Sequence, residues 1–200
     1  MTISGPTTSP TRPSTTWRDL LLDQLDFYWD FHLWPRLAGL TDAEYLWEPA
    51  SPAWSVRPGP DGEPRLEYEV PEPEIPPVTT IAWRVVHVGR DVLGRRARAL
   101  FGPTDAPADA DMFDARHWPE APATAEGGLA MLEEGYRSWR AGISTLDDES
   151  LMNPIGPKGL AYAEFPMAAL VTHLSREAMA HGGEICLLRD LYRAQASTPG

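Results

Sequence analysis

The sequence predicts an all-α fold, a single four-helix bundle, on three observations. Four long segments repeat their apolar residues at the spacing of a helix. Threonines stand at the starts of the first two, with Gly39 and Gly102–Pro103 at their ends, and the 21 prolines cluster mostly between the segments. The segments are joined by one long crossover, one medium link and one shorter link, which is the connectivity of a bundle.

The first helix is predicted to begin at Thr15 or Thr16, either of which can cap it, and to run toward Leu37 with Leu21, Leu25, Tyr28 and His32 on one face. Pro35 predicts a kink or early end, and Gly39 a stop. The crossover, roughly 41–77, holds a short helical turn in TDAEYLW and then RLEYEV, whose Leu66, Tyr68 and Val70 alternate with charged neighbours as in a strand. A connection of this length is more often functional or packed over a site than idle. The second helix is expected from Thr79 or Thr80 to Leu100, ended by Gly102 and Pro103. The third covers 125–146, with Leu129, Leu132, Tyr136 and Trp139 inward, and the fourth covers 165–194. Residues 1–14, rich in Ser, Thr and Pro, are expected to be a disordered tail, 15–194 the bundle, and 195–200 a C-terminal tail.

Composition excludes several function classes. A net charge of −12 offers no basic stripe for phosphates, so neither nucleic acid nor an anionic membrane is an expected partner. No apolar run approaches the roughly 18 residues that cross a bilayer. One cysteine, Cys186, allows no internal disulfide and sits in a helical run as a small core residue. The polar N-terminus is no secretory signal. A cytoplasmic protein acting on a small molecule is the expectation; the helix faces allow a homodimer, which no residue pattern demands.

The fourth helix carries the feature that needs explaining. With each residue turned by about 100°, Leu170, Leu174, Glu177, His181, Ile185 and Leu188 share one sector, and Glu177 and His181 fall near its middle. An acid and an imidazole are costly to bury unless something binds them. Their four-residue spacing points both the same way, toward a shared metal ion or toward each other as a hydrogen-bonded pair. A third ligand has to come from another helix. His87 in TTIAWRVVHVGRDVLG is the best candidate, although Val86, Leu93 and Ala97 mark the core direction and His87 projects to its side, where a surface histidine is the plainer assignment.

These residues also carry a resemblance. AGLTDAEYLWEPA after the first helix, TTIAWRVVHVGRD on the second and EAMAHGGEICLLRDL on the fourth make the chain similar to the DinB-like superfamily, from the first helix to about Tyr192. Within it, the chain resembles the metal-binding N-terminal domain of mycothiol-dependent maleylpyruvate isomerase, and not that enzyme's further C-terminal domain. The resemblance implies a four-helix bundle holding zinc first, or nickel second, with His87 from the second helix and Glu177 and His181 from the fourth as ligands. It also implies mycothiol or another low-molecular-weight thiol as cosubstrate. Glu-then-His on the fourth helix, where many members carry two histidines, points to the thiol-dependent branch.

Two imidazoles and a carboxylate leave one position open on a tetrahedral ion, where a thiol or a water can be activated. The functions that follow are thiol S-transfer or isomerisation, metal-dependent hydrolysis on the same bundle, or binding of a metal or ligand without catalysis. His173, Asp91 and Glu184 are placed to orient the ligands, and Arg84, Trp83 and Trp54 to flank a cleft. His32, on the aromatic run FYWDFHLW, is expected in the core, and His117, in a polar link, in solvent.

Overall fold

Thr16 opens the first helix, and the reason is local. Its hydroxyl accepts from the Asp19 backbone N–H while the Asp19 carboxylate accepts from the Thr16 N–H, so two otherwise orphaned donors are satisfied at the start of α1 (Trp17–Tyr28). The computed structural model describes residues 15–196; the expected tail at 1–14 and the end of the one at 195–200 lie outside the described residues. Within them the chain is mostly helical, with two small two-stranded sheets. Among the described residues, no helix is long and apolar enough to cross a membrane.

After Tyr28 the helix widens into a π-helical turn, Trp29–Leu33, and then tightens into a 3-10 turn, Trp34–Leu37, around Pro35. Proline has no N–H for the ladder, and Gly39 at φ 71° turns the chain away. Leu22, Leu25, Trp29, Leu33 and Leu37 enter the core. The wide turn carries Leu33 inward in place of His32, which is exposed and stacks on Tyr28 at 5.9 Å. The expectation of a core histidine at 32 is therefore corrected.

The crossover contains α2 (Asp42–Tyr45), capped by Thr41, and four short strands. β1 (Ala53–Trp54) pairs in parallel with β4 (Val78–Thr79), which brings the two ends of the connection together. β2 (Val56–Pro58) pairs antiparallel with β3 (Pro64–Leu66). The expected strand RLEYEV is thus a strand only as far as Leu66. At Glu67 the side chain accepts from Ser55 N–H and Arg57 Nε, and the carbonyl accepts from the Trp83 indole at 2.8 Å.

Thr80 caps the second helix, whose parts are α3 (Ile81–Val86), a π-helical stretch His87–Gly94, and α4 (Arg95–Phe101); Gly102 at φ 69° ends it. The π-helical stretch lies directly on α5 (Ala125–Ser144). A Cβ on Gly89 would stand 2.6 Å from the Leu132 Cα, and one on Gly135 would collide with the Gly89 carbonyl, so both positions require glycine for this approach. Val85, Val86, Leu132, Trp139 and Ile143 are buried around the crossing, each worth about 1.5–3 kcal/mol.

The link after α4 is less polar in its setting than in its sequence. His117 is only 3% exposed. Its Nε2 donates to the Asp111 carbonyl at 3.0 Å, so its Nδ1 is free to accept from the Thr104 hydroxyl at 2.8 Å. This corrects the expectation of a solvated histidine: two polar partners from the same link satisfy both ring nitrogens. The short helix α6 (Asp148–Met152) and a 3-10 turn, Pro157–Tyr162, precede α7 (Met167–Ala196). Lys158 ties this second link to the rest, donating to the Ala99 carbonyl and accepting from Met112 N–H.

Candidate metal centre

α7 buries a stripe turned away from the predicted one. Val171, Leu174, Ala178, Gly182, Ile185 and Arg189 are buried, whereas the Glu177 side chain is 35% exposed and that of His181 16%. Small residues explain the turn. A Cβ on Gly182 would stand 2.5 Å from the Tyr28 hydroxyl, so α1 approaches α7 at a glycine, which a search for large apolar residues passes over. Glu177 and His181 accordingly stand on the rim of the core and not in its middle. That is the better place for a site that must be reached.

His87 opens the π-helical stretch of the second helix and also stands on the rim, with its side chain 26% exposed. The three residues meet there. One donor atom from each of His87, Glu177 and His181 lies within 4.8 Å of the other two. The imidazole rings of His87 and His181 stand edge to face at 4.9 Å. His181 Nε2 is 3.3 Å from Glu177 Oε2. Two ligands on a tetrahedral ion with bonds of about 2.0–2.1 Å stand roughly 3.3–3.4 Å apart, so this pair is spaced as ligands are.

Polar neighbours orient these side chains. Glu184 Oε2 lies 2.7 Å from His181 Nδ1. A carboxylate only accepts, so this bond is made with Nδ1 protonated, and the lone pair is left on Nε2, facing Glu177. Arg84 Nη1 reaches Glu184 Oε2 at 3.1 Å. It is also 2.9 Å from His181 Nδ1, a contact in which it can donate only to the opposite tautomer. Burial lowers the Arg84 pKa, with Glu184 opposing.

Asp91 Oδ2 is 3.7 Å from His87 Nδ1, close but beyond a hydrogen bond. Burial pushes the Asp91 carboxyl up, yet His87, Arg90 and Arg95 outweigh it and hold the group well below the usual carboxylate range. It stays an anion facing His87. Trp83 stacks on His87 at 4.8 Å and Trp54 on Trp83 at 6.2 Å, closing one side. His173 Nδ1 stands 3.9 Å from Glu177 Oε1. His173, Asp91 and Glu184 thus each stand beside one of the three cluster residues.

A family model of the DinB superfamily matches residues 32–185, well over half of the chain, including His87, Glu177 and His181. The chain belongs to the DinB superfamily. No curated protein and no solved structure matches it significantly. As a DinB protein it places its His/Glu/His cluster across two helical stretches, and the donor set suits a divalent ion.

Two features gave no warning in the sequence. Glu44, from α2, and Arg189, from α7, form a buried ion pair with Nε to Oε1 at 2.7 Å, and their separation of 145 residues hides it. Arg96 is a half-buried guanidinium on α4 whose Nε has no hydrogen-bond partner among the described residues.

Proposed function

We propose that this DinB protein holds one divalent ion, zinc first and nickel second, on His87, Glu177 and His181 within a four-helix bundle. We further propose that it acts on a small electrophile with a low-molecular-weight thiol such as mycothiol, as an S-transferase or isomerase-type enzyme resembling the maleylpyruvate isomerase branch. The observation that supports this is the grouping of three donor atoms within 4.8 Å of one another at the rim of the core, with ligand-like spacing between His181 and Glu177.

Three protein ligands with a fourth position open is the arrangement of catalytic zinc sites. When bound, the ion supplies Lewis acidity at the open position. The chain's own residues do the rest. Glu184 keeps the His181 Nδ1 proton so that Nε2 points inward, Arg84 fixes Glu184, and Trp83 and Trp54 keep water off the His87 side. Glu177, the most exposed of the three, marks the side from which a small molecule enters. A carboxylate in place of a second histidine lowers the positive charge of the centre by one, which suits a single anionic thiol.

The test is thiol dependence. Zinc-loaded protein incubated with 1-chloro-2,4-dinitrobenzene and mycothiol should form the aryl thioether and release chloride faster than the uncatalysed mixture. His87→Ala should lose that rate. Hydrolytic turnover that proceeds equally well without any thiol would exclude the transferase and indicate the hydrolase on the same residues. Metal bound with no turnover of either kind would leave a non-catalytic binding protein.

A further inference from the structure

A cavity of about 310 Å³ lies beside the cluster, with Arg96, Phe113, Tyr162, Phe165, His173 and Arg176 on its walls. None of the three cluster residues lines it. The two sites meet at His173, which faces the cavity and approaches Glu177 at 3.9 Å.

One wall is aromatic. The links after α4 and before α7 bring the rings of Phe113, Tyr162 and Phe165 together, with successive centroids 6.3 and 6.0 Å apart. These rings remain 40%, 52% and 54% exposed, a patch that an apolar ligand would cover. Nearby, Leu160 is held at φ 49°, a conformation that costs a residue other than glycine about 1–3 kcal/mol.

The other wall is cationic, and Arg96 is its anomaly. Its neighbours on the second helix have acids: Arg90 and Arg95 pair with Asp91, and Arg98 with Glu134. Arg96 pairs with no carboxylate among the described residues. Asp91 and Glu177 act on it only at longer range, and its guanidinium lies over the Phe113 ring at 4.7 Å. In a chain with 29 acidic and 17 basic residues, a half-buried arginine that pairs with none of the acids carries a charge that an anion would neutralise.

We propose that this cavity binds a small organic carboxylate with a flat apolar body. The carboxylate meets the Arg96 fork, with Arg176 and His173 at the rim, and the body lies against Phe113, Tyr162 and Phe165. One guanidinium fork matches one carboxylate in shape and charge. The volume is at the small end of the roughly 300–1,000 Å³ range of small-molecule sites, which excludes a peptide or an oligonucleotide. That the bound acid is the substrate of the neighbouring centre rests on the function proposed above; the binding itself does not.

The full chain, both metal-loaded and chelator-treated, should be titrated calorimetrically with 2-naphthoate and with the neutral 2-naphthamide, and its metal content measured in parallel. Naphthoate should bind both forms, and the amide about tenfold more weakly or worse, the weight of a charge-assisted hydrogen bond. Arg96→Met should weaken naphthoate by a similar factor with metal content unchanged. Arg176→Gln and Phe165→Ala, both at exposed positions, should each weaken it several-fold and serve if Arg96→Met does not fold. The proposal is overturned if naphthoate does not bind, if acid and amide bind alike, or if none of the three variants weakens it. Loss of metal with naphthoate binding retained counts against the metal centre alone; metal retained without naphthoate binding counts against the cavity alone.

Discussion

α7 carries two polar sites, and they are built oppositely. Arg189 is fully buried, and each of its three nitrogens has a partner: Glu44 accepts from two at 2.7 and 3.0 Å, and the carbonyls of Arg36 and Ala38 accept from the third. Two turns earlier, His181 and Glu177 stand partly open with His87, and one donor atom of each lies within 4.8 Å of the other two. A polar group whose needs are met by the protein holds the fold together. A polar cluster left part-exposed at the rim of the core, as His87, Glu177 and His181 are, is open to a partner from outside the chain. Depth of burial alone therefore ranks these two sites in the wrong order for function.

The largest expected effect would sharpen the contrast from the structural side. Glu44→Ala leaves a buried guanidinium without its acid and should cost about 3–5 kcal/mol in a denaturant melt, with metal binding per folded chain unchanged. A stability loss below about 1 kcal/mol would break the distinction, because Arg189 would then not depend on Glu44. Gly135→Ala should follow, at about 1–3 kcal/mol. The added methyl meets the Gly89 carbonyl and shifts the π-helical stretch that carries His87, so it is expected to loosen both stability and metal affinity. Glu184→Gln at the open site should leave stability within about 0.5 kcal/mol while lowering metal affinity about 10–100-fold, read by competition with a chelator.

The smallest effect concerns the residue between the two sites. Burial pushes the Cys186 thiol up, with Arg36 opposing. Its folded value lies above the ordinary one, so the thiolate is scarce at neutral pH and grows only on the alkaline side. Iodoacetamide should label Cys186 more slowly than a free thiol at pH 7 and faster as the pH rises. Rapid labelling at pH 7 would show this part of α7 to be open.

The sequence was most legible where structure is decided within a few residues. Thr16 and Thr80 cap their helices, and Gly39 and Gly102 end theirs at positive φ, because a cap bonds a backbone N–H within three residues and a stop needs only its own glycine. The partners around the cluster were legible for the same reason, since Asp91 is one turn from His87 and Glu184 one turn from His181. What failed rested on a constant helical step or on distant partners. The π-helical turns at 29–33 and 87–94 changed the phase of two helices, which displaced His32 outward and left His87 looking misplaced on a regular helix. On α7 the close approach to Tyr28 falls at Gly182, so the stripe turned and left Glu177 on the rim. His117 became buried through Thr104 and Asp111, and the Arg96 cavity needs two links that meet only in the fold.

The central claim is that the open site takes up an ion and the closed one does not need it. Elemental analysis of purified protein, wild type against His181→Ala, tests this most directly. The expected result is about one divalent ion per wild-type chain, as for a three-residue site, and a large loss in the variant. Stripping the ion should also lower the wild-type Tm, since binding to the native state adds to its stability. Equal metal content in the two proteins, or none in a wild type supplied with zinc and nickel, would contradict the account.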